Sequence, residues 1–168
     1  MYETNRLILR KAVFSDWEQM YRNIWCHEET ARYMLWAVTE SEAAAKERME
    51  RTIAFQQSHH AWLVVEKESG KAIGFAGLRE ESGVCEDTGI AVGPRYVGKG
   101  YGTEILNELV RIAKEGLNAH GFIATCRSEN EASRKMILGC GFRFSHTEPR
   151  TDPRNGEAYT AEFYQREL

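Results

Sequence analysis

Val97-Gly98-Lys99-Gly100-Tyr101-Gly102-Thr103 sets three glycines at alternate positions between a segment patterned as a strand and one patterned as a helix. Upstream, Val84 to Val92 reads as a strand. Downstream, Ile105, Leu106, Leu109, Ile112, Ala113 and Leu117 form one apolar stripe of a helix running from about Gly100 to Leu117. A strand that feeds a helix through so flexible a turn constrains the chain to an α/β architecture. The free N–H groups of a first helical turn and the helix dipole favour an anion. No acidic residue lies between Gly98 and Thr103. The turn is therefore read as a phosphate cradle.

Two other nucleotide-binding patterns fit less well. Gly93-x-x-x-x-Gly98-Lys99 matches most of a P-loop, but Gly100 stands where Ser or Thr would hold Mg²⁺. The spacing Gly98, Gly100, Gly102 lacks the last glycine interval of the dinucleotide fingerprint, and the turn lies too deep in the chain for a first βα unit.

The rest of the chain supplies the layers. Arg6 to Arg10 alternates as a half-buried strand, and Ser15-x-x-Glu18 reads as a capping box that opens a helix. Thr39-x-x-Glu42 opens a second helix to about Ser58, with Ala45, Met49, Ile53 and Gln56 on one face, and shorter helical material spans Glu28 to Leu35. Ala61 to Glu66 and Lys71 to Leu78 form a hairpin. Gly74 and Gly77 inside its second arm imply a bulge or close packing. Phe122 to Cys126 is a further strand, Ser128-x-x-Glu131 caps a helix to about Leu138, and strands near Phe142 to His146 and Tyr159 to Gln165 end the sequence. This order predicts one α/β domain over residues 1–168, a mixed and mostly antiparallel sheet of about six to seven strands with helices on both faces.

Cys26, Cys85, Cys126 and Cys140 are scattered, with no C-x-x-C pair and no histidine at metal-ligand spacing, so no metal is expected. A net charge of -3 disfavours nucleic acid as a partner. No apolar run approaches the ~20 residues of a membrane helix, and the start of the chain lacks a leader pattern. A cytoplasmic protein without a membrane partner is expected, as a monomer or homodimer.

Ala91 to Thr103 resembles the acetyl-CoA-binding motif of the GCN5-related N-acetyltransferases (GNAT), whose core is Q/R-x-x-G-x-G/A. Gly100 and Gly102 take the glycine places, and Val97 stands at the usual Gln/Arg, which removes a polar side chain but leaves the backbone donors. Asn130-x-x-Ser133 followed by Gly141-Phe142 is similar to the family's second cofactor motif. Glu3 to Arg10 with Asp16, and Ile73 to Leu78, look like the ribosomal-protein alanine acetyltransferase branch. The resemblance implies the GNAT fold, acetyl-CoA as co-substrate, and transfer to a primary amine on a small molecule or a peptide N-terminus. It also implies that Val97, Gly98, Gly100, Tyr101, Gly102 and Thr103 surround the pyrophosphate. Asn130 would contact the pantetheine arm, and the backbone at Ile90, Ala91 and Val92 would lie beside the thioester carbonyl.

Direct transfer needs a neutral amine and a proton for the departing thiolate. Strand parity puts Glu86 with Val84, Thr88, Ile90 and Val92 on a mostly apolar face that could desolvate a carboxylate, making Glu86 the first candidate base. A bulge would exchange the faces and promote Asp87; the resemblance points to Glu86 through histone-acetylating relatives and to Asp87 through the ribosomal-protein branch. Water is the third option. The tyrosine that many relatives use as acid is replaced by Ile137, leaving Ser133 as a candidate relay or a local hydrogen-bonding residue. His59-His60 ends a helix and reads as a cap. Trp25, Trp36 and Trp62 read as core or as lining of an acceptor pocket, and Cys140 lacks an identifiable histidine partner for a covalent route. A module that binds acyl-CoA without catalysis is the alternative function, and a P-loop hydrolase the more distant one.

Overall fold

Eight strands form one sheet in the order β1-β2-β3-β4-β5-β6-β8-β7. The computed structural model describes residues 1–168. The strands are β1 Tyr2–Glu3, β2 Leu7–Arg10, β3 His60–Glu66, β4 Ala72–Glu81, β5 Val84–Val92, β6 Gly121–Arg127, β7 Arg143–Thr151 and β8 Ala158–Glu167. All neighbours are antiparallel except β5 and β6. The mixed, mostly antiparallel architecture expected from the pattern is present, with one strand more: the two-residue β1 is too short to show alternation.

Helices cover both faces. On one lie α1 (Trp17–Met20, continued as a wider turn to Trp25) and α3 (Glu42–Ser58), with the short α2 (Glu28–Ala31) beside them. On the other lie α4 (Tyr101–Arg111, continued as a wider turn to Gly116) and α5 (Glu131–Gly139). The α4 stripe packs as its spacing predicts: Ile105, Leu106, Leu109, Ile112 and Ala113 are buried in a core of 23 residues shared with Leu9, Val64, Ile73 and Phe122. The core under α1 and α3 holds only 8 buried residues, among them Met20, Trp25, Ala45, Met49 and Leu63. That thinner packing leaves room for a cleft on the α3 side.

Three cap assignments are corrected. Asp16, not Ser15, closes the first turn by accepting the Val13 N–H at 2.9 Å. Ser41 rather than Thr39 caps α3, accepting the Ala44 N–H at 3.1 Å. Asn130 rather than Ser128 caps α5, accepting the Ser133 N–H at 3.1 Å. In each case a second capping residue lay within two positions of the first, and the spacing did not separate them. His59 does close α3: its Nδ1 bonds the Phe55 carbonyl at 2.8 Å.

Gly74 and Gly77 serve close approach. A Cβ on Gly74 would stand 2.2 Å from the Ala91 carbonyl oxygen across β4 and β5, and one on Gly77 would stand 2.5 Å from Thr88 Oγ1.

Candidate active site

The glycine turn is exposed and held from behind. Gly100 has φ +79° as the residue before α4, a left-handed conformation that glycine adopts without a Cβ clash. Among the loop and cap hydrogen bonds, the first that α4 donates runs from Glu104 N–H to Gly100 O at 3.1 Å, so the N–H groups of Tyr101, Gly102 and Thr103 remain uncommitted. Arg6 braces the turn, donating to the Lys99 carbonyl at 2.9 Å and to Glu104 Oε2 at 2.7 Å, with its guanidinium 4.5 Å from the Tyr101 ring centre. Glu104, the one acid in this helical turn, is thereby neutralised. Tyr101 donates to the buried Glu66 carboxylate at 2.5 Å, which fixes the helix start to β3. Val97, Gly98 and Lys99 face solvent beside these donors. A polyanion fits this surface.

The sheet opens next to it. The parallel pairing of β5 with β6 covers only Val84↔Gly121, Cys85↔Phe122 and Glu86↔Ile123, after which the strands part. Gly93 N–H donates to Ile73 O at 2.8 Å, and antiparallel pairs alternate, so Ala91 bonds toward β4 while Ile90 and Val92 turn their N–H groups to the open side. The edge expected to face a carbonyl is thus free.

The carboxylates at this split exchange places relative to the parity expectation. Gly77 pairs with Gly89 and Leu78 with Asp87, so Thr88 is an extra residue in β5. The bulge puts Asp87, not Glu86, in register with Ile90 and Val92. Glu86 lies on the opposite face and is engaged by Arg79 at 2.5 and 3.0 Å. Asp87 Oδ1 accepts the Thr125 N–H at 2.9 Å across the split. Burial, reinforced by the neighbouring Glu86 charge, pushes the Asp87 carboxyl up to about 7 even though the Thr125 N–H favours the anion.

Two clefts meet here. One, about 430 Å³, is lined by Asp87, Ile90, Asn130, Ser133, Met136 and Ile137. The other, about 740 Å³, lies under α3 and includes Trp25, Trp36, Arg48, Phe55, Gln56 and Trp62. Trp36, Phe75, Thr88 and Gly89 line both, so a molecule in one can reach a molecule in the other. Asn130 spends its carbonyl on the α5 cap and keeps its amide nitrogen free. Burial pushes the Cys126 thiol, which also lines the smaller cleft, up to about 11, and raises that of Cys140, whose Sγ lies 3.8 Å from the Thr103 carbonyl. Neither is an activated nucleophile.

A model of the acetyltransferase (GNAT) domain matches residues 6–143. The chain belongs to this family. It is an acetyltransferase enzyme. It is 25% identical over 163 residues to the uncharacterized N-acetyltransferase YnaD of Bacillus subtilis, a match covering 96% of this chain and 93% of that protein. The acetyltransferase (GNAT family) from Bacillus anthracis superposes with a TM-score of 0.84 at 21% identity, covering 98% of this chain and 96% of that one. Spermidine N-acetyltransferase from Vibrio cholerae, solved with CoA and spermine, superposes with a TM-score of 0.77 at 18% identity, covering 98% and 96%.

In this GNAT chain the sequence reading missed Arg48, Gln56 and Thr125. Helical periodicity marks Gln56 as inward-facing but cannot show that its amide lines a cavity. Thr125 acts through its backbone N–H, which no side-chain pattern records. No helix of the structure is long and apolar enough to cross a membrane.

Proposed function

We propose that the enzyme transfers the acetyl group of acetyl-CoA directly to a primary amine in a ternary complex, with Asp87 taking the amine proton. The carrying observation is the position of Asp87: a carboxyl held at the opening of the sheet, poised near neutrality by burial, beside the junction of the two clefts. The uncommitted N–H groups at the start of α4 would hold the pyrophosphate, with Gly98 leaving its approach clear and Gly102 making room for Met136 behind the turn. Asn130 would offer its amide to the pantetheine arm along the smaller cleft. The Ile90 and Val92 N–H groups at the free edge of β5 would stabilise negative charge on a carbonyl oxygen. When bound, acetyl-CoA supplies an activated thioester carbon and a thiolate leaving group.

Ser133, which lines the same cleft beside Cys126, would relay a proton to the departing sulfur. The larger cleft receives the acceptor, a small-molecule amine or a peptide N-terminus. The resemblance of the opening segment from Glu3 to Arg10, with Asp16, to that of the ribosomal-protein acetyltransferases supports placement near that branch.

Calorimetry with acetyl-CoA, wild type beside a Gly100→Asp and Gly102→Asp double variant, followed by thiol release on an amine panel, tests the reading. Binding lost in the variant and amine-dependent thiol release are expected. Binding without release on any amine would reduce the chain to an acyl-CoA-binding module.

A further inference from the structure

The larger cleft contains a cation without an ion-pair partner. Arg48, on α3, has its guanidinium 4.7 Å from the Trp25 ring centre and 4.3 Å from that of Trp36, and its one hydrogen bond is from Nη1 to Thr39 Oγ1 at 3.0 Å. No carboxylate lies within ion-pair distance of it. The other charges lining the cleft are Arg51, 3.9 Å from Glu47, and the exposed Glu40. Burial and the nearby Arg51 lower the Arg48 guanidinium to about 10, which marks a charge the fold itself does not compensate.

Stacking on two indoles leaves the edge of a guanidinium free, and in-plane donors on that edge match the paired oxygens of an oxyanion. Gln56 lines the same cleft; its carbonyl is committed to the Ala12 N–H at 2.7 Å, while its amide nitrogen has no partner. The cleft thus presents donors and a positive charge. A polyamine, which brings only positive charge, would meet repulsion in it.

We propose that the amine acceptor carries an oxyanion at its far end, a carboxylate or a phosphate, and that Arg48 is the specificity residue that pairs with it. This rests on the larger cleft being the acceptor site of the proposed acetyl transfer. The acceptor would enter with its anion on the free edge of the Arg48 guanidinium and its amine toward Thr88 and Asp87.

The test uses the full chain. L-amino acids are compared with their carboxamides, and phosphoethanolamine with ethanolamine and spermidine, by thiol release. In parallel, calorimetry with CoA present measures binding of N-acetyl-amino acids against their amides, which requires no transfer. An anion-bearing ligand should be favoured about 10- to 100-fold over its neutral twin, chiefly in KM. Arg48→Gln should abolish that preference while leaving acetyl-CoA affinity within about 3-fold, and Arg48→Lys should restore part of it. The carboxylate and phosphate arms identify the oxyanion. Preference for spermidine or for the neutral twins would overturn the inference and leave acetyl transfer standing, as would an anion preference that survives in Arg48→Gln. Anion-selective binding without amine-dependent thiol release would uphold Arg48 as an anion site and count against the catalytic reading instead.

Discussion

Asp87 Oδ1 accepts the Thr125 N–H at 2.9 Å, so that a side chain supplies the contact where the backbone rungs between β5 and β6 have ended. The bond fixes one carboxylate oxygen while burial and the neighbouring Glu86 raise the cost of its charge. The same residue therefore ties the split together and holds a proton near neutral pH.

That arrangement has a thermodynamic signature. The folded carboxyl titrates at about 7, against about 3.9 in an unfolded chain. Between those values the native state binds the extra proton, so this group makes stability fall as pH rises from about 4 to about 7. Asp87→Asn removes the charge and keeps an acceptor for Thr125. Thermal unfolding should show the variant more stable than wild type at pH 8, with the gain vanishing near pH 4. An equal difference at both pH values would exclude a raised carboxyl.

Gly74 allows β4 and β5 to approach beside the free edge. A methyl there meets the Ala91 carbonyl oxygen at 2.2 Å, a backbone atom that cannot swing aside. Gly74→Ala should cost about 1–3 kcal/mol in urea unfolding and shift the Ile90 to Val92 edge, lowering kcat more than acetyl-CoA affinity. Wild-type stability in this variant would show that the strands separate freely.

Asp152 latches the connection between β7 and β8 onto the segment after α2. It is 1% exposed and accepts from Arg127 at 2.6 Å and Arg154 at 2.6 Å, while Arg154 also donates to the carbonyls of Ala31 and Trp36. The two guanidinium groups hold its carboxyl well below the usual range. The stability it contributes is present above about pH 4, its unfolded value, and is lost as pH falls below that. Asp152→Asn should lower the thermal midpoint at pH 7 by several degrees, and the difference from wild type should shrink on acidification. A variant with an unchanged midpoint at pH 7 would show that the latch is not structural.

Much of this was legible in the sequence because periodicity reports burial. The α4 stripe from Ile105 to Ala113 and the alternation in Leu7 and Leu9 both sit in the core. The glycine turn was legible because free N–H groups and absent side chains are properties of the residues themselves. What parity could not decide was the face of Glu86, since the bulge at Thr88 is set by pairing with Gly77 on another strand. The larger cleft was legible only in part: Trp25, Trp36 and Trp62 read as core or as pocket lining, but Arg48 reads as an ordinary charged helix position until Trp25 and Trp36, distant in the chain, close over it.

The most direct test is the pH dependence of kcat/KM for wild type, Asp87→Asn and Glu86→Gln on one accepted amine. Wild type should gain about tenfold per pH unit below 7 and level off above it. Asp87→Asn should lose about 10²- to 10⁴-fold and the limb near 7, while Glu86→Gln, whose carboxylate is spent on Arg79, should stay within about 3-fold with the profile intact. A wild-type profile retained in Asp87→Asn, or lost in Glu86→Gln, would contradict the assignment of the proton to Asp87.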